Sequence, residues 1–197
     1  MPYVQSKQTA EQTQFMKYVN EFGSIEYNQL PKLFPKWTAD ELRYHTQKLY
    51  NSYKIDIQEG SVVLSYARRE VDHDMVDCLW VALSSIDKIR NNMIFRAESP
   101  VSLIAQFNDG TFKEYVKIDT ATLDNLFVIE ERYFTRNVES EGGRGLQYVL
   151  ICDNENVLKS IEEYGFKAPF LTALLRFDEN GQPIITGSYA SEMLIEG

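Results

Sequence analysis

The sequence predicts an α+β protein in two parts: three helices and a two-stranded hairpin over residues 1–71, then a small α+β domain over residues 72–197. Three observations predict it. Thr9-Ala-Glu-Gln12 and Thr38-Ala-Asp-Glu41 are capping-box signals, each followed by apolar residues at helical spacing. Two β-rich runs, Ile55-Asp-Ile57 and Val62-Val-Leu-Ser-Tyr66, flank the turn Gln58-Glu-Gly60-Ser. Past the charged stretch Arg68 to Asp74, helical and strand periods alternate to the end of the chain.

The first helix follows Thr9, with Phe15, Met16, Val19 and Phe22 on one face and Gly23 at its end. Ser24-Ile25-Glu26 reads as a short strand. A second helix is expected from Tyr27 to Phe34, with Leu30, Leu33 and Phe34 inward, Pro31 in its first turn and Pro35 after it. The third helix opens at Thr38. Leu42, Thr46, Leu49 and Tyr53 form its inward stripe, with His45 at the border. Tyr18, Tyr27, Tyr50, Tyr53 and Tyr66 read mostly as packing residues.

Three helices followed by a hairpin is the chain order of a winged helix-turn-helix, a unit that usually carries a nucleic-acid surface on its third helix and wing. Arg43, Tyr44, Gln47, Lys48 and Asn51 share the outward face of that helix. Arginine, glutamine and asparagine read base edges, and lysine meets phosphate. Arg68 and Arg69 follow the wing and extend the candidate DNA-binding set. Asp40 and Glu41 oppose this reading, because they place negative charge at the end that commonly enters the groove.

In the second part, Met75, Val76, Leu79, Trp80, Leu83 and Ile86 predict an amphipathic helix ending near Arg90. Strands are expected at Met93–Phe95, Val101–Phe107 and Phe112–Ile118, with a turn at Asn108-Asp-Gly-Thr111. Residues 120–137 fit either helix or strand, and Glu139 to Gly145 reads as a loop. Leu146–Cys152 is a buried strand, followed by a helix capped at Asp153 or Asn154 that runs to Tyr164 and ends at Gly165. Leu171–Phe177 and Pro183–Tyr189 form a last hairpin. Val101–Phe107 and Ile184–Tyr189 read equally as a strand edge open to a homodimer or protein partner and as a covered monomer edge guarded by charges such as Lys113 and Glu114.

Composition bounds the function. A hydrophobic fraction of 44% is that of a globular protein, and no apolar run is long enough to span a bilayer. Met1 to Lys7 lacks the apolar core of a secretory signal, and Cys78 and Cys152 sit among apolar residues, so a cytoplasmic protein is expected. Residues 1–71 hold nine Lys/Arg against eight Asp/Glu, and the remainder holds 11 against 21. Affinity drawn from phosphate contacts is therefore modest. His45 and His73 are the only histidines, and Asp72-His73-Asp74 is too contiguous to converge on one ion. No metal, cofactor or catalytic residue is expected. The loop Gly142-Gly-Arg-Gly145 precedes a strand, whereas a phosphate cradle opens a helix.

The α-β-β-β-α-β-α-β-β order of the second part resembles the core of the restriction-endonuclease-like superfamily. That resemblance implies an acid on one strand and Asp/Glu-x-Lys on the next, holding a divalent cation. The corresponding strand is Phe112-Lys-Glu-Tyr-Val-Lys-Ile118. Here Glu114 and Lys117 are three apart, Tyr115 stands two before Lys117, and Asp109 is a turn residue. The pattern is broken, so the core reads as degenerate. Nearly the whole chain resembles a family of clostridial and related Gram-positive proteins with a winged helix before a small α+β domain. The likeness lies in Leu79-Trp-Val-Ala-Leu83, Ser99-Pro-Val-Ser-Leu-Ile104, Gln147-Tyr-Val-Leu-Ile-Cys152 and Ala168-Pro-Phe-Leu-Thr172. More distantly, the layout is similar to replication-relaxation proteins and relaxosome accessory factors. Together these imply a non-catalytic protein that binds duplex DNA, as an accessory or regulatory factor of a plasmid or conjugative element. A protein-interaction adaptor with a silent winged helix is the alternative, and a divergent nuclease the third reading.

Overall fold

A computed structural model describes residues 9–59, 62–66, 70–139 and 145–189. The chain is a mixed α+β protein that divides into two units, residues 1–76 and 77–197.

In the first unit, α1 (Ala10–Phe22) begins on a closed capping box. The Thr9 hydroxyl accepts from the Gln12 N–H at 3.3 Å, and the Gln12 side chain accepts from the Thr9 N–H at 3.2 Å. Phe15, Val19 and Phe22 are buried. Gly23 takes φ 81° and donates to the Val19 carbonyl at 2.8 Å, which ends the helix. The segment expected as one helix from Tyr27 to Phe34 is instead a 3-10 turn, Tyr27–Gln29, running into α2 (Leu30–Leu33). Pro31 sits at the start of α2, where its missing N–H interrupts no intrahelical bond. Gln29 is buried because both ends of its amide are used. It accepts from the Glu26 N–H at 2.9 Å and donates to the Val76 carbonyl at 2.8 Å.

The remaining elements of this unit are α3 (Ala39–Asn51), β1 (Ser24–Glu26), β2 (Ile55–Gln58) and β3 (Val62–Ser65). The strands form an antiparallel sheet in the order β1-β3-β2, with Ile25 opposite Val63 and Ile57 opposite the same residue from the other side. Gly60 and Ser61 of the connecting turn lie outside the described residues. The core gathers Phe15, Val19, Leu30, Leu33, Leu42, Leu49, Ile55 and Leu64. Phe34 stacks on Phe15 at 5.5 Å and on Trp37 at 4.3 Å, so an aromatic layer joins α1 to the turn before α3.

Helix α4 (His73–Leu83), which begins within the last residues of the first unit, stops well short of the end expected near Arg90. The Ser84 hydroxyl donates to the Val81 carbonyl at 2.6 Å, and the turns that follow deliver β4 (Ile89–Arg96) where a helix end was expected. The other elements are β5 (Leu103–Phe107), β6 (Phe112–Lys117), α5 (Asn125–Glu139), β7 (Leu146–Cys152), α6 (Glu155–Tyr164), β8 (Phe170–Phe177) and β9 (Pro183–Thr186). The ambiguous stretch 120–137 thus resolves as a helix from Asn125 onward. Residues 140–144 of the expected loop lie outside the described residues.

The six strands form one sheet in chain order, β4 to β9. β4, β5 and β6 make an antiparallel meander, β6, β7 and β8 are parallel, and β9 returns antiparallel. Two helical crossovers, α5 and α6, serve the parallel pairs. β5 is covered on both sides by β4 and β6, so the open edge read at Val101–Phe107 is absent. The edges are β4 and β9. In β4 the register shifts between Ile89 and Ile94, where Asn91 and Asn92 take φ 47° and 55°.

Side chains along β6 alternate between two layers. Val116 and Ile118 join Leu126, Ile129, Val157 and Ile161 in the core under α5 and α6. Glu114 points the same way and is 3% exposed, with Arg136 of α5 as its ion-pair partner at 2.6 Å. Lys117 points the other way and meets Asp77 of α4 at 2.6 Å and Asp153 at 3.8 Å. Burial pulls the Lys117 ammonium down, but the bond and charge of Asp77, with Asp153, outweigh it and hold it above its ordinary value. The Tyr148 hydroxyl is buried without a hydrogen-bond partner. Burial, then the Glu114 charge, push its pKa well up.

Two outcomes follow from this layer. Arg136→Ala leaves a buried carboxylate unpaired and lowers stability by about 2–3 kcal/mol in chemical denaturation, whereas Tyr148→Phe removes an unsatisfied hydroxyl and is neutral or stabilising by about 1 kcal/mol. Raised Tyr148 and Lys117 pKa values stabilise the fold fully below their unfolded values. Stability therefore declines as pH climbs past about 10. Tyr148→Phe makes that alkaline decline shallower, as thermal melts across pH 8–11 can measure.

Candidate nucleic-acid interface

The geometry of α3 is set at its two ends. At its start the Thr38 hydroxyl accepts from the Glu41 N–H at 3.2 Å, and the Glu41 carboxylate accepts from the Thr38 N–H at 2.7 Å. The Thr38 backbone and then side-chain bonds hold the Glu41 carboxyl below its usual value. Glu41 is thus committed to the cap. Asp40 remains exposed and forms a loose pair with Arg43 at 3.7 Å.

From that start, the 3.6-residue period turns Leu42, Thr46 and Leu49 into the core. The Thr46 hydroxyl donates to the Leu42 carbonyl at 2.7 Å, which satisfies it inside the unit. Arg43, Tyr44, Gln47, Lys48 and Asn51 come out on one side. Together with Asp40 and Ser52 they line a shallow hollow of about 680 Å³. The structure therefore gathers all five helix residues named from the sequence. Gln47 donates to the Asn51 side-chain carbonyl at 2.9 Å, and the Lys48 ammonium lies 5.7 Å from the Tyr44 ring centre. The face carries donors, acceptors and two cations on a rigid helix. Arg68 and Arg69 lie outside the described residues.

At its other end α3 closes with two reverse bonds. The Tyr53 N–H donates to the Tyr50 carbonyl and the Lys54 N–H to the Leu49 carbonyl, both at 3.0 Å. This is a Schellman ending, and it puts Tyr53 in the left-handed region at φ 54°. The helical period stops at Asn51, so Tyr53 does not continue the inward stripe. It is 72% exposed, and Tyr66 is 58% exposed. Tyr50 is also exposed, whereas Tyr18 and Tyr27 are half-buried. The packing role expected for Tyr50, Tyr53 and Tyr66 is corrected by the way the chain turns. A Gly or Asn is the usual occupant of the left-handed position, and no residue pattern here announced that a tyrosine takes it.

His45 packs at a tilt against Trp37 with ring centres 4.7 Å apart, and its Nδ1 is buried without a hydrogen-bond partner. His73 pairs with Glu59 at 3.3 Å. Among the described residues, no group of three or more His, Cys, Asp or Glu is placed to hold a metal ion. In the second unit, Asp109 accepts from the Thr111 N–H and hydroxyl at 2.8 Å, as a turn residue. Glu114 and Lys117 occupy opposite faces of β6 with separate partners, Arg136 and Asp77.

No protein-family model, curated protein or solved structure matches the chain. No helix among the described residues is long and apolar enough to cross a membrane.

The left-handed tyrosine generates a stability test. Replacing Tyr53 with Gly removes a backbone strain of about 1 kcal/mol and forfeits only an exposed ring contact with Tyr66 at 6.0 Å. Tyr53→Gly therefore keeps or raises the urea midpoint of the full chain. A loss above about 1 kcal/mol would mean the ring contact outweighs the strain.

Proposed function

We propose that the first unit is a winged helix-turn-helix and that the chain binds duplex DNA without cutting it. The observation that carries this reading is the α3 face, where Arg43, Tyr44, Gln47, Lys48 and Asn51 line one open hollow. The element order and the β1-β3-β2 sheet support the winged-helix assignment, with β2 and β3 as the wing. The capping role of Glu41 also supports it, because a carboxylate held by Thr38 spends its lone pairs on the helix rather than on repelling the groove.

The five residues divide by chemistry. Arg43, Gln47 and Asn51 suit base edges, while Lys48 and Tyr44 suit phosphate and sugar. The second unit, on this reading, is a restriction-endonuclease-like core without its chemistry. The separation of Glu114 from Lys117 supports that, since a cation site needs the acid and the lysine on one face. Through its resemblance to relaxosome accessory factors, the chain acts as an accessory or regulatory factor of a mobile element in the cytoplasm.

Fluorescence anisotropy of the full chain with labelled mixed-sequence duplex is the test. Binding is expected at low salt and falls steeply as salt rises. The double variant Arg43→Glu/Lys48→Glu weakens it at least tenfold and lowers the salt slope by about one, through the phosphate contact of Lys48. Asp40→Asn strengthens it slightly. Equal binding by wild type and the double variant would remove α3 as the interface. No binding to any duplex would favour the adaptor.

A further inference from the structure

A second hollow adjoins the α3 face and differs from it in chemistry. Its volume is about 390 Å³, and it is lined by Tyr50, Asn51, Tyr53, Ile55, Asp56 and Tyr66. Three of the six are exposed tyrosines. Tyr53 and Tyr66 meet edge to face at 6.0 Å, so one ring stands as a wall against the other. The Tyr66 N–H donates to the Lys54 carbonyl at 3.1 Å, which ties the end of β3 to the end of α3 and holds the two rings together. Strained, exposed aromatic display of this kind is not explained by packing.

The polar groups at the rim form a donor–acceptor pair. The Asn51 carbonyl oxygen is taken by Gln47, which leaves its amide N–H groups directed elsewhere. Asp56 accepts from the Ile57 N–H at 2.9 Å and from the Gln58 amide at 3.1 Å. Its charge is thus partly neutralised by its own strand, and each oxygen keeps a lone pair for an amino group. That arrangement suits the edge of a nucleobase better than a free cation, which calls for an uncommitted carboxylate. Asn51 lines both hollows, so the aromatic site continues the α3 face. Half-buried Lys48 and exposed Lys54 flank the junction and offer charge to a phosphate backbone.

We propose that this tyrosine hollow holds an unpaired base, so that the substrate class is duplex DNA with a single-stranded extension leaving the end of α3. The proposal rests on the DNA-binding reading of that helix and adds to it the form of the DNA. Aromatic faces accept any base by stacking. Asp56 favours bases that present an amino group, such as cytosine.

The full chain is titrated with three labelled probes: a blunt duplex, the same duplex with a single-stranded tail, and the tail alone. The tail carries 2-aminopurine, whose fluorescence falls when it stacks. The tailed duplex is expected to bind about tenfold more tightly than the blunt one, with quenching of the tail base. Tyr53→Asn/Tyr66→Ala, which keeps a residue suited to the left-handed position, abolishes both the preference and the quenching. It leaves blunt-duplex binding unchanged, and Tyr53→Phe/Tyr66→Phe retains the preference. Circular dichroism confirms that each variant is folded. Equal affinity for tailed and blunt duplex, or a preference that survives loss of both rings, overturns the proposal while leaving the α3 reading intact. Tyrosine-dependent binding of the tail without any binding of blunt duplex upholds the hollow and removes the α3 reading. No binding of any probe removes both. Choline binding that depends on the tyrosines, without quenching by the tail, assigns the hollow to a cation and also overturns the proposal.

Discussion

The reciprocal hydrogen bonds between Thr38 and Glu41 decide what the first unit displays. They fix Ala39 as the first residue of α3, and a helix has no further freedom once its start and its buried side are set. Leu42, Thr46 and Leu49 go inward, and the five polar and aromatic residues of the opposite side follow. The same carboxylate that looks hostile to DNA in the bare sequence is the group that fixes where α3, and with it the proposed DNA face, begins. Its charge acts on the helix start, where it is favourable.

An equivalent constraint governs the second unit, and it is the two-residue period of β6. Glu114 and Lys117 are separated by an odd number of residues, so the sheet divides them between its layers. Each charge then needs its own partner. Arg136 supplies one from α5 and Asp77 supplies the other from α4. The two pairs, each with one side chain buried in its own layer, tie both helices to the sheet. They also withhold from one another the groups that a shared cation would require.

Much of this was legible in the residues because it rests on local rules. Thr9 and Thr38 mark helix starts, Gly23 and Gly165 mark ends, and alternating periods give the elements after residue 72, save that residues 120–137 fit helix and strand alike. The misreadings occur where a tertiary or terminal contact overrides the period. Ile86 extends the apolar pattern of α4, yet Ser84 and Ser85 turn the chain, and the Ser85 hydroxyl bonds the buried Tyr189 hydroxyl at 2.5 Å. Tyr53 fits the stripe of α3 by spacing, yet the helix has ended and the left-handed turn swings it outward. The five α3 residues were readable as one face, because they depend only on helix geometry. The tyrosine hollow was not, because it needs the end of α3 and the end of β3 brought together by the Tyr66 bond to Lys54.

The broken register of β4 bears on how this protein survives its own synthesis. A six-stranded sheet has two open margins, and an unguarded margin recruits the same margin of another nascent chain. On one side, the left-handed Asn91 and Asn92 interrupt the ladder, so no long row of free donors and acceptors faces solvent. On the other, β9 is four residues long and opens with Pro183, which has no N–H to give. Crowded chains emerging from neighbouring ribosomes thus meet at margins poorly suited to fibril growth. Replacing the two asparagines by β-branched residues would exchange that safeguard for a longer, smoother and more aggregation-prone border.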